Sequence, residues 1–340
     1  MARRTSWFRI VLMLLLLVAL LAAALAWAAW RWVDAPLPLA SPRIELTVPS
    51  GSSPQRVAAD WVSAGVQVPP RALYEWFRWS GEARRIRAGS YAIETGDTPR
   101  TLLARMVQGD ELRERVRFIE GWTVRELRAA LARAPYLHQA TAGLSEAELM
   151  AAVGAPPGQA AEGRFFPDTY VYGRGVSDLT VLRQAYQAMQ RHLAASWAER
   201  APDLPLASPD DALILASIVE KETGQESDRG RIAGVFANRL RIGMRLQTDP
   251  TVIYGLGERF DGNLRRRDLE ADGPFNTYTR AGLPPTPIAL PGLASLRAAV
   301  RPEATRALYF VATGDGGSAF SENLADHNRA VNRYQRGGGR

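Results

Sequence analysis

From Ile10 to Trp30 the chain holds 21 consecutive residues without a charge, nearly all apolar, and roughly 20 such residues cross a bilayer core as a helix. Arg3, Arg4 and Arg9 precede the run, while Arg31 behind it is nearly offset by Asp34. The positive-inside bias therefore holds the N-terminus in the cytoplasm and exports the rest. The run exceeds the roughly 7 to 15 apolar residues of a cleavable signal, and Trp27, Trp30 and Trp32 supply an interfacial belt, so a retained transmembrane helix is expected. The Pro/Ser-rich stretch Ala35 to Arg43 reads as a short stiff spacer that lifts the following chain off the membrane. Beyond it Ile44 to Val48 alternates like a strand, Ser53 to Ala64 and Arg71 to Trp79 carry helical periodicity, RAGSYAIE alternates again, and TPRTLLARMVQGD reads as a capped helix. Together these describe a small α+β module over residues 44–112.

The remainder, residues 113–332, mixes the same two periodicities. RVRFIEGW reads as a strand before the helix TVRELRAALARA, and Asp178 to Arg200 as a long amphipathic helix. Phe165, Phe166, Tyr170 and Tyr172 form a dense aromatic group in EGRFFPDTYVYG. Such rings stack on sugars, but each buries 150 to 250 Å² and most are expected in the core. Residues 333–340, ending in GGGR, read as a disordered tail.

Composition narrows the chemistry more than it identifies it. With no cysteine, disulfides, thiolate nucleophiles, iron–sulfur clusters and cysteine-bound zinc are excluded. The net charge is +7, of which the membrane segment and its flanks carry +3, and the 42 basic residues comprise 41 Arg and one Lys, Lys221. That skew looks like coding bias, and nucleic acid is not expected as a partner. His138, His192 and His327 are not spaced as HExxH or set beside a GxSxG elbow, and neither GxxxxGK[ST] nor GxGxxG after a strand occurs. No metal or other cofactor is expected, and carboxylate chemistry remains.

The segment Ser208 to Gly224 reads as a helix with Ser208 as N-cap, Pro209 at the first position, Asp211 at the third and Gly224 as stop. Ile214, Leu215, Ile218 and Val219 form its apolar stripe, and Glu222 continues that stripe at i+4 and i+3. Glu220 lies about 200° round the helix, beside Ala216 and Ser217, so the two carboxylates cannot act as a close pair. A carboxyl against an apolar wall is costly to ionise and can stay protonated near neutral pH as a general acid; a solvated or ion-paired helix end is the alternative. Arg231 to Leu240 forms the next helix, and RIGMRLQTDPTVIYGLG turns through Gly243, Asp249-Pro250 and Gly255. Here Asn238, Gln247, Thr248, Asp249 and Tyr254 interleave with Val235, Phe236, Leu240, Leu246 and Ile253, as a groove for a polar ligand would require. The long proline-rich segment Phe275 to Gly292 is of a length usually kept for function.

These stretches carry a resemblance. SIVEKET, VFANRLRIGMRLQTDPTVIYG, FNTYTRAGLPPTPIALPG and ALYFVATGDGGSAFSENLADHN, with EGRFFPDTY, resemble the motifs of the YceG-like endolytic murein transglycosylases over Arg117 to Asn328, and the 44–112 pattern resembles a LysM-like glycan-binding module. The resemblance implies an α+β protein with one transmembrane helix (residues 1–34), a spacer (35–43), the LysM-like module and a catalytic domain over 113–332. It implies a single-pass inner-membrane enzyme of a bacterium whose periplasmic part cleaves MurNAc-β-1,4-GlcNAc bonds of peptidoglycan and leaves 1,6-anhydro-MurNAc ends. The family's essential glutamate falls on the second Glu of SIVEKET, Glu222, in agreement with the helix-face argument, with Glu220 as the fallback. Asn238, Gln247, Thr248, Asp249, Tyr254, Asn276 and Tyr278 are the expected substrate-binding residues. Anchoring would confine cleavage to nascent strands and end their elongation, and the implied partners are glycan strands and the synthases of the elongation or division machinery. Two other readings remain open at this point: a muramidase-type hydrolase with Asp249 as second carboxylate, and a non-catalytic peptidoglycan-binding scaffold.

Overall fold

The structure, a computed structural model, describes residues 2–222 and 225–336, and the chain divides into two compact units, Met1–Glu114 and Arg115–Arg340. Gly224, expected as a helix stop, and residues 337–340 of the tail lie outside the described residues.

The first unit begins with α1 (Ala2–Val33), whose stretch Trp7–Val33 is apolar and long enough to cross a membrane. Then follow β1 (Arg43–Val48), α2 (Pro54–Ala64), α3 (Pro70–Trp79), β2 (Gly89–Glu94) and α4 (Pro99–Gln108). β1 and β2 pair antiparallel with Ile44 opposite Ile93 and Val48 opposite Gly89. Their inward residues Ile44, Val48, Tyr91 and Ile93 pack with Val57 and Trp61 of α2, Leu73 and Phe77 of α3, and Leu102 and Met106 of α4. α2, α3 and α4 each start on a proline where the missing N–H costs nothing, and the Ser53 and Thr98 side chains accept from the first-turn amides of Arg56 and Thr101 in α2 and α4.

The stretch after α1 is not a free spacer. Leu37 is buried, its N–H donates to Asp97 O at 2.7 Å, Ala40 N–H to Gly65 O at 2.9 Å, and Gln67 N–H to Pro38 O at 2.8 Å. Arg100 of α4 also grips Asp34 with Nε to Oδ1 at 2.6 Å. Leu37 and Leu39 dock the stretch on the module, so the module follows the apolar helix directly.

The second unit comprises β3 (Arg113–Arg117, starting at the boundary), α5 (Val124–Arg133), α6 (Glu146–Val153), β4 (Thr169–Gly173), α7 (Asp178–Ala198), α8 (Pro209–Glu222), α9 (Glu226–Arg241), α10 (Asp249–Leu256), α11 (Arg266–Glu270), α12 (Leu293–Val300), β5 (Tyr309–Ala312), β6 (Ser318–Ser321) and α13 (Leu324–Val331). β3 pairs with β4, and β5 with β6 antiparallel, Phe310 opposite Phe320. Residues 332–336 continue as a π-helical turn, so the chain stays ordered past the expected start of the tail at 333.

One core cluster joins β3, β4, α5, α6 and α7, and takes in Phe165, Tyr170 and Tyr172; Phe166 joins the other. All four aromatics of EGRFFPDTYVYG are thus core. That other cluster surrounds α8. Its residues Ala212 to Val219 are all buried, so α8 is sheathed on every side by α7, α9, α10 and α12 and not only along the stripe of Ile214, Leu215, Ile218 and Val219. Ser217 fits this interior because its hydroxyl donates to Ile214 O at 2.7 Å and accepts Ile288 N–H at 3.0 Å.

Candidate active site

A buried helix has to surface somewhere, and α8 surfaces at its C-terminal end. Its start is locked by a reciprocal cap in which Asp211 N–H donates to Ser208 Oγ at 3.1 Å and Ser208 N–H to the Asp211 carboxylate at 3.1 Å. With the start fixed and the body sheathed in apolar residues, Glu222 is delivered at a fixed position to the wall of an open cleft of about 520 Å³. Burial pushes its carboxyl up to about 7, and the neighbouring Asp249 charge pushes in the same direction, while the Thr248 hydroxyl bonded to it and the Arg239 guanidinium pull it down. The Thr248 hydroxyl donates to Glu222 Oε1. Near pH 7 Glu222 therefore keeps a substantial protonated fraction, its carboxyl bonded by Thr248 at the cleft wall.

Glu220, two residues earlier, does not line this cleft. Its Oε2 accepts Gly292 N–H at 2.9 Å, on the side where burial and the Glu220 charge together raise Glu120. The separation of the two carboxylates around the helix is as the spacing requires.

Asp249-Pro250 proves to be the first turn of α10, not only a turn between elements. Thr248 occupies the N-cap position of that helix but makes no side-chain cap bond, because its hydroxyl serves Glu222. Its backbone is held instead by Thr277, whose Oγ1 accepts Thr248 N–H at 3.1 Å and whose carbonyl accepts Gln247 N–H at 3.1 Å. Gln247 sits at φ 48°, a left-handed conformation uncommon for a residue with a side chain, and it lines the cleft together with Asp249 and Tyr278. Tyr278 donates its hydroxyl to Asp249 Oδ1 at 2.6 Å.

Five of the expected residues therefore converge: Glu222, Gln247, Thr248, Asp249 and Tyr278. Three lie elsewhere. Asn238 donates its amide to Thr305 O and Ala307 O at 2.8 and 3.1 Å. Asn276 is buried, donates to Leu269 O and Ala271 O and accepts Tyr278 N–H at 2.8 Å, so it shapes the loop that carries Tyr278. Tyr254 donates its hydroxyl to Glu162 Oε2 at 3.1 Å, away from Glu222 and on another cleft.

The cleft also recruits residues that spacing did not single out, among them Arg239, Tyr309 and His327. Arg239 continues the buried face of Ile232, Val235 and Phe236 on α9 at helical spacing, and an arginine on an apolar stripe is the signal that could have found it. It donates Nε to Leu308 O at 2.7 Å and Nη1 to Leu246 O at 2.5 Å, tying β5 to the residue before Gln247. His327 stacks on Tyr309 with centroids 5.2 Å apart, and burial keeps its imidazole below the ordinary value, which favours the neutral form. Among the described residues no cluster of His, Cys, Asp and Glu could hold a metal ion.

The YceG-like family model matches residues 46–333. The endolytic murein transglycosylase of Bacillus subtilis is 38% identical over 173 residues, which is 51% of this chain and 48% of that protein. Endolytic murein transglycosylases of two Streptococcus pneumoniae strains are each 31% identical over 176 residues, 50% of this chain and 31% of theirs. The matched part thus spans less than half the length of these curated relatives. A solved structure of a putative YceG-like protein from Listeria monocytogenes superposes with a TM-score of 0.54 at 28% identity, covering 85% of this chain and 98% of that one. Because the family match takes in both units, from β1 through α8 and the Glu222 cleft to α13, the chain belongs to the YceG-like family.

Proposed function

We propose that the chain is a membrane-anchored lytic transglycosylase of peptidoglycan. In this reading it cleaves the MurNAc-β-1,4-GlcNAc bond within nascent glycan strands, leaves 1,6-anhydro-MurNAc ends and so terminates strand elongation. The observation that carries the reading is the carboxyl of Glu222, raised to about 7 at the wall of an open cleft that it shares with Asp249; the names of the relatives from B. subtilis and S. pneumoniae support it.

Glu222 donates its proton to the leaving glycosidic oxygen as the C1–O bond breaks and positive charge develops at C1. The resulting carboxylate takes the proton of the MurNAc 6-hydroxyl as that oxygen bonds C1. The acid is regenerated and no water is consumed. The Thr248 hydroxyl steadies the carboxylate stage, and Gln247, Asp249 and Tyr278 hold the sugars and their N-acetyl groups. Arg3, Arg4 and Arg9 keep the N-terminus cytoplasmic, α1 sits in the inner membrane, and the chain after α1 acts in the periplasm. The first unit serves as a LysM-like module that presents the strand, beside the synthases.

Full-length protein in detergent, given uncrosslinked glycan strands, should release fragments one water lighter than hydrolysis products. Reducing ends instead would transfer the protein to the hydrolases, with Asp249 as the second carboxylate. The rate should hold below pH 7 and fall as pH rises through about 7, where Glu222 loses its proton. Asp249→Asn removes a charge that raises Glu222, so this limb should move to lower pH. Burial raises Glu162 to about 7 as well, but a limb owed to Glu162 would not respond to Asp249→Asn, and an unmoved limb would remove Glu222 as the titrating acid.

A further inference from the structure

α10 contributes residues to two clefts. Asp249 at its start lines the cleft of Glu222, whereas Pro250, Ile253 and Tyr254 line a second cleft of about 810 Å³. The two clefts thus meet at consecutive residues, Asp249 on one and Pro250 on the other. The end of α8 is divided in the same way, with Glu222 on one cleft and Lys221 on the other.

The second cleft has a distinct chemistry. Ile253, Tyr254, Phe260 and Ile288 give it apolar walls, and Lys221 and Arg125 put two cations at its rim. In a chain with 41 arginines, the single lysine stands here, its Nζ donating to the neutral Gly121 carbonyl at 3.2 Å. Glu162 and Glu258 are the carboxyls among the described residues that line the same cleft. Glu162 is buried and already served by Val124 N–H at 3.1 Å and the Tyr254 hydroxyl at 3.1 Å, and its burial favours the neutral form. Glu258 meets Arg125 at 3.3 Å, both side chains largely in solvent, and an exposed pair of that kind contributes at most about 1 kcal/mol and exchanges readily.

A glycan strand of GlcNAc and amide-linked MurNAc is neutral along its length, so cations have nothing to hold on the sugars themselves. The anions of murein are on the peptide stems, which combine small apolar side chains with free carboxylates. We propose that this second cleft binds the acidic peptide stem carried by a MurNAc residue next to the bond that Glu222 cleaves, its apolar walls receiving the small side chains and Lys221 and Arg125 the carboxylates. The proposal rests on the lytic reading of Glu222 and adds a substrate preference to it: strands that still carry stems are cut in preference to bare ones.

Binding can be read without turnover, in full-length Glu222→Gln protein in detergent, by calorimetry with muramyl tetrapeptide and with N-acetylmuramyl methylamide, the same sugar without the stem. The tetrapeptide should bind about tenfold more tightly, as expected of charge-assisted bonds at a partly exposed site. Adding Arg125→Gln and Lys221→Gln together should erase that ratio, and Ile253→Glu, which sets a like charge in the wall, should erase it separately. All three side chains are at least partly exposed, and an unchanged unfolding temperature confirms that the variants fold. In the otherwise unaltered enzyme the ratio of kcat/KM on stem-bearing strands to that on stem-stripped strands should fall by about tenfold with the double change. Equal affinity for the two probes, or a ratio that survives both sets of substitutions, overturns the stem site. Absence of anhydro ends from either type of strand overturns the lytic reading instead, and leaves the binding ratio to judge the cleft by itself.

Discussion

Glu222→Gln should lose about 10³-fold in strand cleavage, within the range that a positioned general acid contributes, while unfolding at a higher temperature than the parent at neutral pH. Both effects have one cause. The folded protein holds the Glu222 proton up to about pH 7, whereas an unfolded carboxyl releases it near 4.5. Between those values the native state binds more protons than the unfolded one, so the parent loses stability as pH rises through the window. Above pH 7 the penalty is complete and amounts to at most about 3.5 kcal/mol, since each pKa unit corresponds to about 1.4 kcal/mol. Glutamine has no charge to bury and its amide oxygen can still accept the Thr248 hydroxyl, so the variant escapes the penalty. Thermal unfolding of the two proteins from pH 4 to 8 should show curves that coincide at the acid end and separate steadily up to pH 7. Parallel curves would mean that Glu222 does not titrate as a buried acid, and retained cleavage would shift the acid to Glu220 or to another mechanism.

The sequence made this acid legible because its placement is a local matter. Ser208, Pro209 and Asp211 mark where α8 starts, and helical spacing then separates Glu222 from Glu220. The strands and helices of the first unit were legible for the same reason, through alternation and the Ser53 and Thr98 caps. What periodicity could not show was where polar side chains spend their hydrogen bonds. Asn238 and Asn276 look like groove residues on the pattern, yet Asn238 serves carbonyls 67 and 69 residues away and Asn276 those of its own loop. Tyr254 finds its partner 92 residues earlier, in Glu162. The start of α10 was hidden because Asp and Pro are as frequent in turns as in the first turn of a helix, and Asp249-Pro250 proves to be the latter. The docking of Leu37 and Leu39 on the module was obscured by the prolines around them, which read as a spacer.

Arg239→Met should cost about 3 kcal/mol of stability and also disturb the acid it does not touch. The guanidinium is buried and bridges two carbonyls 62 residues apart in sequence, those of Leu246 and Leu308. Methionine fills the space but leaves both acceptors unpaired in the core, at about 1 to 3 kcal/mol for each. For a unit of this size that is a fall of roughly 6 to 12 °C in Tm. Lysine should rescue little, since one ammonium on a flexible stem does not reproduce a planar fork that holds two carbonyls at once. Leu246 precedes Gln247, whose left-handed backbone sets up Thr248 and through it Glu222, so loosening that carbonyl should lower kcat more than it raises KM. Arg239 also supplies a cation that pulls Glu222 down. Its removal should therefore raise Glu222 further and move the alkaline limb of the pH–rate profile upward, opposite to the shift expected for Asp249→Asn. A purely structural arginine would lower Tm and leave the limb where it was. Loss of under about 1 kcal/mol would mean that the two carbonyls find water once the guanidinium is gone.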